Sequence, residues 1–161
     1  DDVLVAVARR FVALLSKQFS YDAAALSHPK QTLQTVIEEF ARFHLTHPAY
    51  VRLSLIDFAT PDGGSEYIRL AAGGPFRSNL NAGPLAPMHR RLRQLLAAGA
   101  KAGVFREISE VDFYRLIKSV LLVRLVFPDD LLTTTPVSAA DRRKVERMLW
   151  ETALRHVTTS L

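Results

Sequence analysis

The chain has 161 residues, 48% of them hydrophobic, enough for one core of ordinary size in a single domain spanning 1–161. It has no cysteine, which excludes disulfide frameworks, thiolate zinc sites and cysteine nucleophiles and suits a reducing, cytoplasmic setting. A net charge of +5 permits attraction to anionic surfaces. However, Arg9-Arg10, Arg90-Arg91-Arg93 and Arg142-Arg143-Lys144 lie on the polar sides of helical patterns without interleaved aromatics, so they read as solvated faces.

The first predicted helix spans 2–19, with Val3, Val7, Phe11 and Leu14 beside Leu4, Leu15 and Phe19 at helical spacing. A polar break around 20–27 leads to Pro29, which suits the first turn of a helix over 29–46. There Leu33, Ile37, Phe40 and His44 recur at steps of four, three and four, so His44 lies on the apolar face. His47-Pro48 ends that helix, because proline disfavours helical geometry at the residue before it. A third helix over 48–60 carries Tyr50, Leu53 and Asp57 on one line and Val51, Leu55 and Phe58 on another. It is apolar nearly all round and therefore buried, with Asp57 as the anomaly.

Pro61-Asp62-Gly63-Gly64 makes a turn, and a short helix over 65–72 ends at Gly73-Gly74-Pro75. The stripe Met88, Leu92, Leu95 and Leu96 defines a helix over 87–102, with Gly103 placed as its left-handed cap. Two more helices, 109–127 and 138–160, open on Ser109 with Asp112 and Ser138 with Asp141, a weak form of the capping box. The first holds Phe113, Ile117, Val120 and Leu121, and the second Val145, Leu149, Trp150, Leu154 and Val157. With no sustained alternation of apolar and polar residues and no solenoid repeat, the fold class is all-α.

The longest apolar run, Val120 to Phe127, is interrupted by Arg124 and falls short of the roughly 20 residues needed to cross a bilayer, so no membrane association is expected. Asp1-Asp2 opens the chain without a Met or a leader pattern, which suits a trimmed chain or a fragment whose natural start lies upstream. Chemistry is sparsely signalled. His44 and His47 have an H-x-x-H spacing that would hold zinc only if a third ligand such as Asp57 joined them. The simpler reading makes His44 a hydrogen-bonded core residue and His47 a helix terminator, so no metal is assigned. Neither G-x-S-x-G nor a phosphate-binding glycine loop occurs, and no catalytic residue or cofactor is expected. Many aromatics around a central Asp57, with His44 and Tyr50 nearby in sequence, have instead the composition of an apolar pocket with a few polar anchors. Arg124, inside an apolar run, calls for a carboxylate partner, with Glu146 or Glu151 of the last helix as candidates.

Two stretches taken in order carry a family resemblance. Residues Phe43-His44-Leu45-Thr46-His47-Pro48-Ala49-Tyr50-Val51-Arg52-Leu53 pair a helix ending at His-Pro with a continuation into Arg-Leu. Residues Leu95 to Arg106 run through an apolar helix and small residues into Gly103-Val104-Phe105-Arg106, before an acidic helix start. Together they resemble the C-terminal region of TetR-like transcriptional regulators, over essentially the whole chain. The resemblance implies a homodimer in which the last two helices of each subunit form a four-helix bundle, and a small, mainly apolar effector bound among the earlier helices. It also implies operator DNA contacted only through an N-terminal helix-turn-helix segment that has no counterpart in these 161 residues. Pocket candidates are Phe11, Phe40, His44, Tyr50, Asp57, Tyr67, Met88, Leu92, Phe113 and Ile117. Interface candidates are Val120, Arg124, Phe127, Val145, Leu149, Trp150, Leu154 and Val157, because apolar lines on the last helices are wider than one flank requires. The alternative from another class is a stand-alone helical module that binds a partner protein through its apolar face and senses no ligand.

Overall fold

The computed structural model describes residues 2–18, 21–52, 85–126 and 138–158, and among these the regular structure is entirely helical. The elements are α1 (Asp2–Gln18), a 3-10 turn (Ala24–Ser27), α2 (Pro29–Thr46), α3 (Ala86–Lys101), α4 (Glu110–Val126) and α5 (Ala139–Val157). Residues 48–52 are also helical. No helix among the described residues is long and apolar enough to cross a membrane. The rest of the expected 48–60 helix beyond residue 52, the 65–72 helix, and the site candidates Asp57, Tyr67 and Phe127 lie outside the described residues.

The chain divides into two compact units, one of Asp1–Ser20 with His47–Leu92 and one of Tyr21–Thr46 with Arg93–Leu161. In the first, α1 buries Val12 and Leu15, whereas Val7 is 40% exposed. The expected line through Val7 is therefore turned by about one residue. Two neighbouring apolar lines compete on this helix, and the one through Val12 and Leu15 is covered. At the His47-Pro48 break the His47 carbonyl accepts from the amides of Tyr50 and Val51 at 2.9 and 3.2 Å, so a new helical turn starts where the old one stops. Tyr50 and Val51 are buried, as are Leu85, Met88, His89 and Leu92 from the beginning of α3.

In the second unit, the Asp22 carboxylate accepts from the Ala25 amide at 2.9 Å and starts the 3-10 turn. The Thr32 hydroxyl donates to the Ala25 carbonyl at 2.6 Å and ties that turn to α2. Helix α2 buries Leu33, Val36, Ile37, Phe40, Ala41, Phe43 and His44, which includes the full stripe read from its spacing. Helix α5 packs against both α2 and α4. Its buried residues Val145, Leu149, Ala153 and Val157 fall at steps of four, one line along the helix. Each large aliphatic side chain removed from water in this way contributes about 1.5–3 kcal/mol relative to leaving it exposed. Ser138 caps α5: its hydroxyl accepts from the Asp141 amide at 3.1 Å and donates to the Asp141 carboxylate at 2.5 Å.

The connection from α3 to α4 is a compact joint. Gly103 takes φ +71, a left-handed conformation that glycine adopts without a Cβ penalty. The amides of Val104 and Phe105 both donate to the Gly99 carbonyl, at 3.0 and 3.1 Å. The Phe105 ring folds back over Gly99 so closely that a Cβ there would lie 1.8 Å from it. The Arg106 amide then donates to the Val157 carbonyl at 2.7 Å, which fastens the joint to the end of α5. Gly99→Ala must displace the buried Phe105 ring and is expected to cost about 1–3 kcal/mol. Gly103→Ala has free space around it and costs only the left-handed backbone, about 1 kcal/mol. Urea unfolding of the two variants should therefore rank Gly99→Ala as the less stable.

Candidate functional site

Of the ten pocket candidates, Phe11, Tyr50, Met88 and Leu92 belong to the first unit, and Phe40, His44, Phe113 and Ile117 to the second. In the first unit, half-buried Phe11 packs on Tyr50 with ring centroids 5.4 Å apart and meets the His47 ring edge-on at 5.6 Å. Met88 and Leu92 are fully buried in the same unit, with His89 between them in the chain. Aromatic pairs at these separations contribute about 0.5–1.5 kcal/mol beyond the area they bury.

In the second unit Phe40 is the hub. It is buried, its ring lies 4.2 Å from that of His44, and Tyr114 of α4 approaches it at 5.9 Å. His44 is also in edge contact with Phe43, and its Nδ1 donates to the Phe40 carbonyl at 2.8 Å. That bond fixes the tautomer, leaving Nε2 as the acceptor on the neutral ring. Phe113 and Ile117 are buried on α4 in the same unit. So is Lys118, whose ammonium lies 6.0 Å from the centre of the Tyr114 ring, at the outer limit for a cation–π contact. An imidazole, a phenol and an ammonium are thus held among aromatic rings in the interior of this unit.

Tyr114, Lys118, Phe43 and His89 were not among the pocket candidates read from sequence. For Tyr114 and Lys118 a signal existed, because both fall on the face of α4 that carries Ile117 and Leu121, at steps of three and four. A lysine on such a face reads as solvated until neighbours are known.

The H-x-x-H spacing does not resolve into a metal centre. The described residues contain no cluster of three or more His, Asp or Glu side chains placed to hold an ion. A shallow surface hollow of about 400 Å³ lies over residues 27–31, Gln34 and Val104, and none of the pocket candidates lines it.

The interface candidates divide by burial. Val145, Leu149 and Val157 are at most 2% exposed within one chain, so they retain no surface for a second subunit to cover. The apolar width attributed to a partner is taken up at these positions by α2 and α4 of the same chain. Trp150 and Leu154 on α5, and Val120 and Arg124 on α4, are half-buried. Val123, one turn after Val120, is 59% exposed, the most exposed large hydrophobic side chain among the described residues. Leu116, Ser119, Val120 and Val123 occupy positions i, i+3, i+4 and i+7, a mainly apolar stripe along α4 left partly open. Arg124 is half-buried rather than deeply buried, and Glu146, one of the two carboxylates expected for it, lies 3.9 Å from Arg42 of α2.

Comparison of the chain with protein-family models, curated proteins and solved structures returns no match. Phe40→Ala empties the centre of the second cluster and is expected to lower stability by about 3–5 kcal/mol, the range for a buried aromatic. Phe11→Ala, which removes a half-buried ring, should cost clearly less. The displacement of the urea midpoint in each variant checks the ranking.

Proposed function

We propose that this chain is the effector-sensing and dimerisation region of a TetR-type transcriptional regulator. In this reading operator DNA is contacted through a helix-turn-helix segment outside these residues, and a small, mainly apolar effector changes the balance between two conformations of a homodimer. The observation that carries the reading is the stripe Leu116, Ser119, Val120 and Val123 on α4, with Val123 59% exposed. An apolar stripe left open on the penultimate helix is what a helix–helix subunit interface needs, and Trp150 and Leu154 supply a second half-buried flank on the last helix.

Two further features support it. The run Gly103-Val104-Phe105-Arg106, part of the family resemblance, has a defined mechanical role, since it caps α3, packs on Gly99 and fastens to α5. Within the second unit, the buried His44, Phe40, Tyr114 and Lys118 are side chains of the mixed apolar and polar kind that an effector site uses.

The self-association is tested by light scattering coupled to gel filtration at micromolar concentration. The expected result is a homodimer with an interface of roughly 2,000 Å² or more. Val123→Glu should convert it to monomer without loss of helical circular dichroism, because a charge at this solvent-facing position harms only a surface that a partner covers. A wild-type monomer would overturn the dimerisation reading and favour a stand-alone helical module that uses the same stripe on a different protein.

A further inference from the structure

Arg106 ends the Gly103-Val104-Phe105-Arg106 run, and it makes three contacts with the last turn of α5. Its amide donates to the Val157 carbonyl at 2.7 Å, its Nε donates to the His156 carbonyl at 2.6 Å, and its Nη2 lies 3.3 Å from His156 Nδ1. The two carbonyls belong to the end of a helix, where the last four have no intrahelical donor. A cation there also meets the negative end of the helix dipole. A guanidinium can only donate, so the third contact requires a lone pair on Nδ1, and the proton of the neutral ring sits on Nε2.

We infer that Arg106 and His156 form a proton-sensitive clasp between the α3–α4 connection and the last turn of α5, closed when the imidazole is neutral and loosened when it is protonated. Protonation puts an N–H on Nδ1, facing the guanidinium N–H groups, so the acceptor is lost and two cations confront each other. The two carbonyl contacts do not titrate, so the joint slackens without coming apart. What slackens is the end of α5, where the Thr158 amide closes the helix on the Leu154 carbonyl. Leu154 is one of the half-buried residues on that helix.

Among the described residues, the charged groups that act on the ring from outside its own helix are Arg106 and, from α4, Asp112, which itself lies 3.9 Å from Arg115. Partial burial, and then the Arg106 charge, hold the His156 imidazole below the ordinary histidine value of 6.5, while Asp112 pulls the other way. With its folded value lowered, the native ring binds fewer protons than the unfolded one just below pH 6.5. The stability this site contributes is therefore complete above pH 6.5 and is lost as the pH falls through the lower, folded value.

The test follows the His156 ring by NMR in the 161-residue chain between about pH 8 and about pH 5, the interval in which imidazoles titrate. Wild type is compared with Arg106→Gln, Asp112→Asn and His156→Asn. The last keeps an acceptor oxygen near the position of Nδ1 and cannot be protonated. The His156 midpoint should lie below 6.5 in the wild type, rise in Arg106→Gln and fall further in Asp112→Asn. Protection of the Arg106 amide from hydrogen exchange should drop across the wild-type midpoint and stay level in His156→Asn. A midpoint unmoved in Arg106→Gln, or Arg106 protection equal on both sides of the wild-type midpoint, overturns the clasp. Should Arg106→Gln fail to fold, the Asp112→Asn shift and the wild-type protection profile decide the matter by the same criteria.

Discussion

The second unit depends on one helix being covered from two directions. α5 carries Val145, Leu149, Ala153 and Val157 in a single line, and α2 and α4 both pack on that helix. A helix that serves two neighbours must have its axial position set, and both ends of α5 are fastened. Ser138 and Asp141 hold its start, and the α3–α4 connection holds its finish through Arg106. The tight approach of Phe105 to Gly99 makes that connection rigid. The conformation of a short loop is thereby coupled to the placement of the helix on which the packing rests.

Much of this arrangement is legible in the amino-acid order. The four-three-four spacing of Leu33, Ile37, Phe40 and His44 identifies the buried face of α2 because the adjoining apolar residues Val36 and Phe43 are buried with it and widen the same face. Met88, Leu92, Leu95 and Leu96 do the same for α3, and Gly103 marks its end through a backbone requirement that few residues meet. Where two apolar lines adjoin, periodicity cannot choose between them, which is why Val7 is open and Val12 covered. The same ambiguity affects α5. The width of an apolar surface states how much must be buried, but not whether the cover comes from the same chain or another. Val145, Leu149 and Val157 are covered by their own chain. Glu146 illustrates the electrostatic counterpart, since a carboxylate that the sequence pairs with Arg124 also faces Arg42, on a helix distant in sequence.

The candidate site was legible only in part, for a related reason. His44 is recognisable because a polar residue on a regular apolar stripe stands out. Lys118 and Tyr114 occupy an equally apolar face, yet a lysine and a tyrosine each have an amphipathic side chain that is satisfied at a surface as readily as inside. Only the packing of α4 distinguishes the two outcomes. The polar groups thus gathered near Phe40 and the open stripe on α4 suggest a division of labour within one helix, with the face carrying Tyr114, Ile117 and Lys118 turned to the chain's own interior and the face of Leu116, Val120 and Val123 left for association.

Placement of a second copy on the open stripe is the central claim, and the absence of cysteine from the chain permits a direct measurement. A spin label introduced through Ser119→Cys sits on the stripe beside Val123 without removing any of its apolar side chains. Pulsed dipolar spectroscopy of the singly labelled protein should show one well-defined intermolecular distance, which disappears on dilution with excess unlabelled chain. A trace with no dipolar modulation beyond the uniform background, at concentrations where an obligate dimer is fully formed, would contradict the account.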